Sequence, residues 1–186
     1  MPSAVADPPA LGAKIVSVFR DNPARGLPTV TSIYVLSEYE TGAPLAIMDG
    51  AYLTAVRTAA GSAVSARALA RAEASVLGVI GTGVQARFHV LAMRAVRPLT
   101  KVLVAATAPD KGAAFAQWVT ETTALAAEVA SPDAVSAADI VAACTTSPEP
   151  VVLEEAVRPG AHVCSVGSFT PTTRELPTGL VATARV

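Results

Sequence analysis

Two apolar rhythms divide the chain. In the first part, short apolar runs alternate with dense turn signals: Lys14–Phe19 and Val30–Leu36 read as strands. The turn-rich stretch Asp21-Asn-Pro-Ala-Arg-Gly-Leu-Pro28 lies between them and predicts an antiparallel pair. Tyr39-Glu-Thr-Gly42 marks a second turn, followed by a strand over Pro44–Met48. A long alanine-rich helix then starts near Asp49 or Thr54 and runs towards Ala74, with Arg57, Arg67 and Arg71 interrupting its apolar face. From Val76 the rhythm changes to strands alternating with helices. The strands are Val76–Ile80, Lys101–Ala106, a weak Leu125–Val129, Ile140–Cys144, His162–Val166 and Leu180–Val186; the helices are Ala86–Val96, Lys111–Thr122 and Ala134–Ala138. Continuously apolar strands separated by helices predict a parallel sheet covered on both faces, an α/β doubly wound domain over residues 73–186. A different, α+β piece precedes it over residues 1–72.

Composition narrows the function classes. Hydrophobic residues make up 52% of the chain but aromatics only 4%, so alanine and valine must build the core through close helix-on-sheet contacts. With 14 basic and 15 acidic side chains there is no electrostatic case for nucleic acid or an anionic membrane as partner. No apolar run has the length of a spanning helix, and the first residues lack the basic start and apolar stretch of a secretory signal, so a cytoplasmic setting is expected. Cys144 and Cys164 lie in apolar strands and read as small buried hydrophobes rather than a disulfide or metal pair. No metal-ligand spacing and no nucleophile–base pair is visible.

The chemistry concentrates in Gly81-Thr82-Gly83-Val84-Gln85-Ala86, between a strand ending at Ile80 and a helix. In such a turn the first glycine permits a tight bend and the second lets backbone N–H groups approach a pyrophosphate. The alanine keeps helix and strand close. The helix N-terminus then offers free N–H groups and a partial positive charge. This is the fingerprint of a Rossmann dinucleotide site. The second strand ends without the acid that bonds ribose hydroxyls in NAD sites, since Asp110 lies only in the following turn. Thr107 and Lys111, with Arg87, are candidates to take a 2′-phosphate, which favours NADP over NAD. Thr145 and Ser147 close the fourth strand of the sheet and either face the ribose and nicotinamide or cap a turn. His89 and His162 read as packed residues.

Taken together, Leu53-Thr-Ala-Val-Arg-Thr-Ala-Ala60, the run to Leu69-Ala-Arg71 and the glycine turn resemble the ornithine cyclodeaminase/mu-crystallin family. Gly26-Leu-Pro28, Thr41-Gly-Ala-Pro-Leu-Ala46 and Arg174-Glu-Leu-Pro177 are similar to further stretches of that family. The resemblance implies a substrate-binding and dimerisation domain before the Rossmann domain, a homodimer, and an amino-acid-like small-molecule substrate. It implies that Lys14 and Arg57 contact the substrate carboxylate and serve as the catalytic pair, with Thr29 as a further substrate contact. A guanidinium fork and a point charge suit a carboxylate. Spacing alone favours plainer roles, a solvated strand-end lysine and a helix-surface ion pair.

One departure from the family pattern sorts its chemistries. Cyclodeaminases carry an aspartate where this chain has Phe169, in Val166-Gly-Ser-Phe-Thr-Pro171. A phenyl ring neither pairs with an ammonium group nor accepts a proton. The expectation is therefore an NAD(P)H-dependent reductase of a cyclic imine or ketimine carboxylate, similar to pyrroline-2-carboxylate, or an amino-acid dehydrogenase. Phe169 then either packs on the substrate ring or serves as simple strand-end packing. Ornithine cyclodeaminase activity and a non-catalytic NADP-binding module are the alternatives. The resemblance also implies segments beyond both ends of this chain: a helical piece before Lys14 with another carboxylate-binding arginine, and a tail after Val186. That leaves the substrate domain incomplete and its dimerisation surface in question.

Overall fold

The structure, a computed structural model, describes residues 2–19 and 21–185 and divides into two compact units, Met1–Arg57 and Thr58–Val186. In the first unit, β1 (Pro2–Ala6), β2 (Pro9–Val18), β3 (Val30–Ser37) and β4 (Pro44–Asp49) form an antiparallel sheet in chain order. The expected pairing of the second and third strands is present, running from Leu11 opposite Ser37 to Val18 opposite Val30. One face of this sheet carries Ile15, Ile33 and Ile47, and all three are exposed. β4 leads into α1 (Ala51–Leu69), whose start is set by the Asp49 carboxylate accepting the Ala51 N–H at 2.6 Å. The helix ends at Leu69, short of the expected Ala74.

The second unit holds β5 (Val76–Ile80), α2 (Val84–Arg94), β6 (Lys101–Ala105), α3 (Pro109–Thr123) and β7 (Ala126–Val129). It continues with α4 (Pro132–Ser136), β8 (Ile140–Ala143), β9 (His162–Ser165) and α5 (Thr178–Thr183). All four strand pairings are parallel and the order is β7-β6-β5-β8-β9, so the winding reverses between β5 and β8. Alternation within the strands builds two cores. Leu77, Val79, Val102, Val104, Ile140 and Ala142 pack against Val90, Met93, Phe115 and Val119 on one face. Ile80, Val141 and Ala143 pack with Val135, Ala138 and Val152 on the other.

One expectation needs correction, and one strand is additional. Leu180–Val186 does not form a strand: Thr178–Thr183 is a short helix, and Val186 lies outside the described residues. Pro177 supplies a pre-set φ of −68° at the N-cap, and Leu180 packs towards the second core, which selects helix over the apolar strand pattern. β1 is not expected from the sequence, because its prolines and small residues lack the strand signal; it is held by its register with β2, Pro2 opposite Ala13 through Ala6 opposite Pro9.

Two side chains tie helices together within this unit. Arg97 donates to the carbonyls of Ala66, Arg67 and Ala70 through Nη2, to Arg71 through Nε and to Val96 through Nη1. It thereby adds side-chain donors to the carbonyls at the end of α1 and just beyond it, where the Ala66 carbonyl also accepts the Ala70 N–H at 2.9 Å. His89, fully buried in α2, bonds the Gln85 carbonyl through Nδ1 at 2.8 Å and Ser62 Oγ through Nε2 at 2.9 Å. A carbonyl only accepts, so Nδ1 carries the proton and Nε2 accepts from the serine hydroxyl.

Burial holds the His89 pKa below its ordinary value, and burial, aided by Arg97, does the same for His162. Both are neutral in the folded state, whereas the unfolded chain takes up protons below about pH 6.5. Stability is therefore complete above that pH and falls as the solution is acidified through it. Thermal unfolding midpoints measured from about pH 7.5 to 5 should decline below about pH 6.5, and His89→Gln should flatten that decline. An unchanged slope in the variant would remove His89 as its source.

Candidate functional site

The glycine turn sits where the sheet order reverses. Gly81 has φ +103°, and a Cβ there would lie 2.6 Å from the Cys144 carbonyl oxygen and 3.4 Å from Thr145 Cγ2. Its N–H donates to the Ala105 carbonyl at 2.9 Å, so β5, β6 and β8 meet around this one residue. Gly83, the N-cap of α2, is extended and makes no side-chain capping bond, and a Cβ built on it meets nothing within 4 Å. Open space thus faces a helix N-terminus whose first N–H groups no side chain caps, which is what a pyrophosphate requires. Ala86 is fully buried, Thr82 is half-buried, and Val84 is exposed at the entrance. Gln85 Oε1 is buried without a partner among the described residues. A nicotinamide dinucleotide fits this cradle.

Around the turn the candidates separate. Thr107, just after β6, and Lys111, in the first turn of α3, are both exposed. Arg87 is already engaged: its guanidinium lies 4.4 Å from the ring centroid of Trp118 and 5.9 Å from that of Phe115. Ser147 donates its hydroxyl to the Glu149 carbonyl, and its N–H reaches Thr145 Oγ1. Phe169 is exposed on the loop after β9. Cys144 and Cys164 are free thiols; burial pushes Cys164 up to about 11 and raises Cys144 further.

One residue escaped the sequence reading. Glu175 is fully buried, and its carboxylate accepts five hydrogen bonds. Oε1 takes the Thr145 N–H at 2.6 Å and the Thr145 hydroxyl at 2.8 Å. Oε2 takes the Ser165 hydroxyl and the N–H groups of Val166 and Gly167, at 2.9, 2.9 and 2.6 Å. Its own N–H donates to Ser168 Oγ at 3.0 Å. Glu175 therefore ties together the loops that end β8 and β9. The sequence marks it only as part of Arg174-Glu-Leu-Pro177, a stretch similar to the family, and nothing local separates this acid from an exposed one without the fold.

In the first unit, Lys14 is buried, and Nζ donates to Thr54 Oγ1 at 3.1 Å; Thr54 in turn shares a 3.2 Å hydrogen bond with Ser32 Oγ. The plainer expectation of a solvated strand-end lysine is thus wrong, because Lys14 lies mid-strand opposite Tyr34. Burial lowers its pKa, and the exposed Arg57, one turn along α1 from Thr54, lowers it further. Thr29 lies at the far end of the hairpin, half-buried, its carbonyl accepting the Phe19 N–H at 2.9 Å. Among the described residues, no three of His, Cys, Asp and Glu are grouped to hold a metal ion.

A reversed parallel sheet with a glycine turn at its switch point defines the dinucleotide-binding domain of the dehydrogenase type. The chain belongs to the ornithine cyclodeaminase/mu-crystallin family, which it matches over residues 1–186. It is 40% identical over 186 residues to a Delta(1)-pyrroline-2-carboxylate reductase of Bacillus cereus, covering 99% of this chain and 57% of that protein. The solved Delta(1)-pyrroline-2-carboxylate reductase of Thermococcus litoralis, in complex with NADH and L-proline, superposes with a TM-score of 0.94 at 38% identity. That match covers 97% of this chain and 57% of the other. An archaeal alanine dehydrogenase dimer with bound NAD gives 0.90 at 34% identity, covering 95% and 55%. The chain thus spans a little over half the length of the relatives it matches.

Proposed function

We propose that this chain forms the nucleotide site and part of the substrate site of an NAD(P)H-dependent reductase of cyclic imine or ketimine carboxylates of the pyrroline-2-carboxylate kind. The observation that carries the reading is Phe169, an apolar ring where the family resemblance implies an aspartate in cyclodeaminases, in a chain 40% identical over 186 residues to a reductase of that substrate. A bound reduced nicotinamide supplies the hydride. The chain's own part is to hold and orient: Lys14, fixed by Thr54, offers a point charge, and Arg57 offers a planar fork to the substrate carboxylate. Thr29 contributes a further polar contact, and Phe169 presents an apolar surface to the ring. The likeness to alanine dehydrogenase favours a second reading, oxidation of an amino acid by the same site run in reverse. A cytoplasmic setting, in which both thiols stay reduced, belongs to this proposal. So does a domain division in which the first part serves substrate and dimer and the second serves nucleotide.

For the nucleotide, the proposal is a preference for NADPH, with Thr107 and Lys111 receiving the 2′-phosphate and no acid directly after β6 to repel it. Gly81 to Ala86 take the pyrophosphate, while Thr145 and Ser147 line the nicotinamide side. For the partner, the proposal is a second copy of this chain seated on the Ile15–Ile33–Ile47 face, where three adjacent exposed isoleucines make a continuous apolar patch.

Reduction of pyrroline-2-carboxylate, followed by nicotinamide absorbance, should fall about 30-fold or more in kcat/KM in Arg57→Ala. Nucleotide binding without any turnover would leave only the binding-module reading. Titrations read from Trp118 fluorescence should show Lys111→Ala weakening NADPH about fivefold and NADH by less than about twofold, because an exposed ammonium pairs modestly with a phosphate that only NADPH carries. Equal effects on both nucleotides would remove Lys111 from the 2′-phosphate site. In sedimentation, Ile47→Asp should shift the protein to monomer at concentrations where the parent is dimeric, and an unshifted dimer would place the interface elsewhere.

A further inference from the structure

The Glu175 carboxylate is unusual in what surrounds it. All five of its partners are neutral donors, three backbone N–H groups and two hydroxyls. Among the described residues, the ion pairs are Arg71 with Glu73 and Asp139, and Lys101 with Glu128, so none neutralises it. Hydrogen bonds make the buried anion tolerable but leave its net charge intact. The location is equally specific. In a doubly wound sheet the adenosine half of a dinucleotide lies over the strands before the reversal and the nicotinamide half over those after it. Here those later strands are β8 and β9, and the residues holding the carboxylate are the ones that end them. The loop that binds it also abuts the glycine turn, because Thr145 Cγ2 lies against Gly81.

We propose that Glu175 is a positioning residue that also sets the nucleotide's redox preference: it fixes the loops after β8 and β9, and its uncancelled negative charge favours the cationic, oxidised nicotinamide over the neutral, reduced one. The proposal rests on the dinucleotide reading above. The two nucleotide forms differ by one positive charge on the ring, so an anion held in a low-dielectric edge acts on one form and hardly on the other. A merely structural tie acts on both alike. The field is felt by neighbouring groups: after burial itself, Glu175 is the next cause raising the Cys144 thiol.

Calorimetric titration of NAD+ and NADH, repeated with NADP+ and NADPH, tests this on the whole chain. In Glu175→Gln the affinity for the oxidised form should fall about fivefold or more relative to the reduced form. Ser165→Ala removes one of the carboxylate's five hydrogen bonds, and the hydroxyl's contact with Ser168, but keeps the charge, and should leave the ratio of the two affinities unchanged. Should the glutamine variant be too unstable to titrate, Ser168→Lys brings an ammonium close to the same carboxylate and should move the ratio in the same direction. Equal losses for both forms in Glu175→Gln, or a ratio moved as far by Ser165→Ala, would overturn the electrostatic role. Failure of the parent chain to bind any of the four nucleotides would overturn this proposal together with the dinucleotide reading, and is distinguished by arising in the unsubstituted protein.

Discussion

The second unit depends on how closely its strand ends pass one another. The end of β5 passes the end of β8 so closely that a methyl group on residue 81 would press into the Cys144 carbonyl at 2.6 Å. The same loop is approached from β9, where a Cβ on Gly167 would lie 1.9 Å from the Thr145 carbonyl oxygen. Such contacts exist only where side chains are absent, and they bring three strand ends into one small area. The dinucleotide cradle, the Glu175 tie and the loop bearing Phe169 all depend on that convergence. A larger residue at Gly81 would press on the Cys144 carbonyl, and one at Gly167 would press on both the Thr145 carbonyl and the Glu175 carboxylate, which a Cβ there would approach to 3.0 Å.

Much of this organisation was legible in the chain. Val76–Ile80 followed by Gly81, Gly83 and Ala86 is a local pattern, because a strand, a turn and a helix that must pack closely each impose their own residue types. The parallel strands were legible for a similar reason, since burial on both faces leaves unbroken apolar runs such as Ile140–Ala143. What escaped depends on distant partners. β1 owes its conformation to β2, and α5 owes its form to Pro177 and the core that Leu180 meets, so neither carries its own signal. Lys14 takes its expected role from resemblance, but its burial beside Thr54 is a matter of tertiary packing across 40 residues. Glu175 is the extreme case: its donors come from Thr145 and Ser165–Gly167, and only folding shows that they converge.

The surroundings of Arg87 and Lys111 differ, although both are cations and candidates for a 2′-phosphate. Arg87 has the charge and the position along α2 to suit a phosphate, and its guanidinium lies over the Trp118 ring. A guanidinium held 4.4 Å from an aromatic ring centroid is attracted to the ring's negative face. Lys111, with a flexible stem in the first turn of α3, is exposed.

The Arg97 arrangement gives the chain an unequal response to acid. Its guanidinium grips five carbonyl oxygens and no carboxylate, so neither side of the interaction changes protonation over the range in which proteins are handled. The neighbouring tie between Arg71 and Asp139 is of the opposite kind and weakens once the carboxylate is titrated. As protons accumulate, the seam between the end of α1 and the segment before β6 should therefore outlast the contacts around it. Acid titration would then act on the Asp139 and His89 contacts and leave the carbonyl-bound junction chemically unchanged.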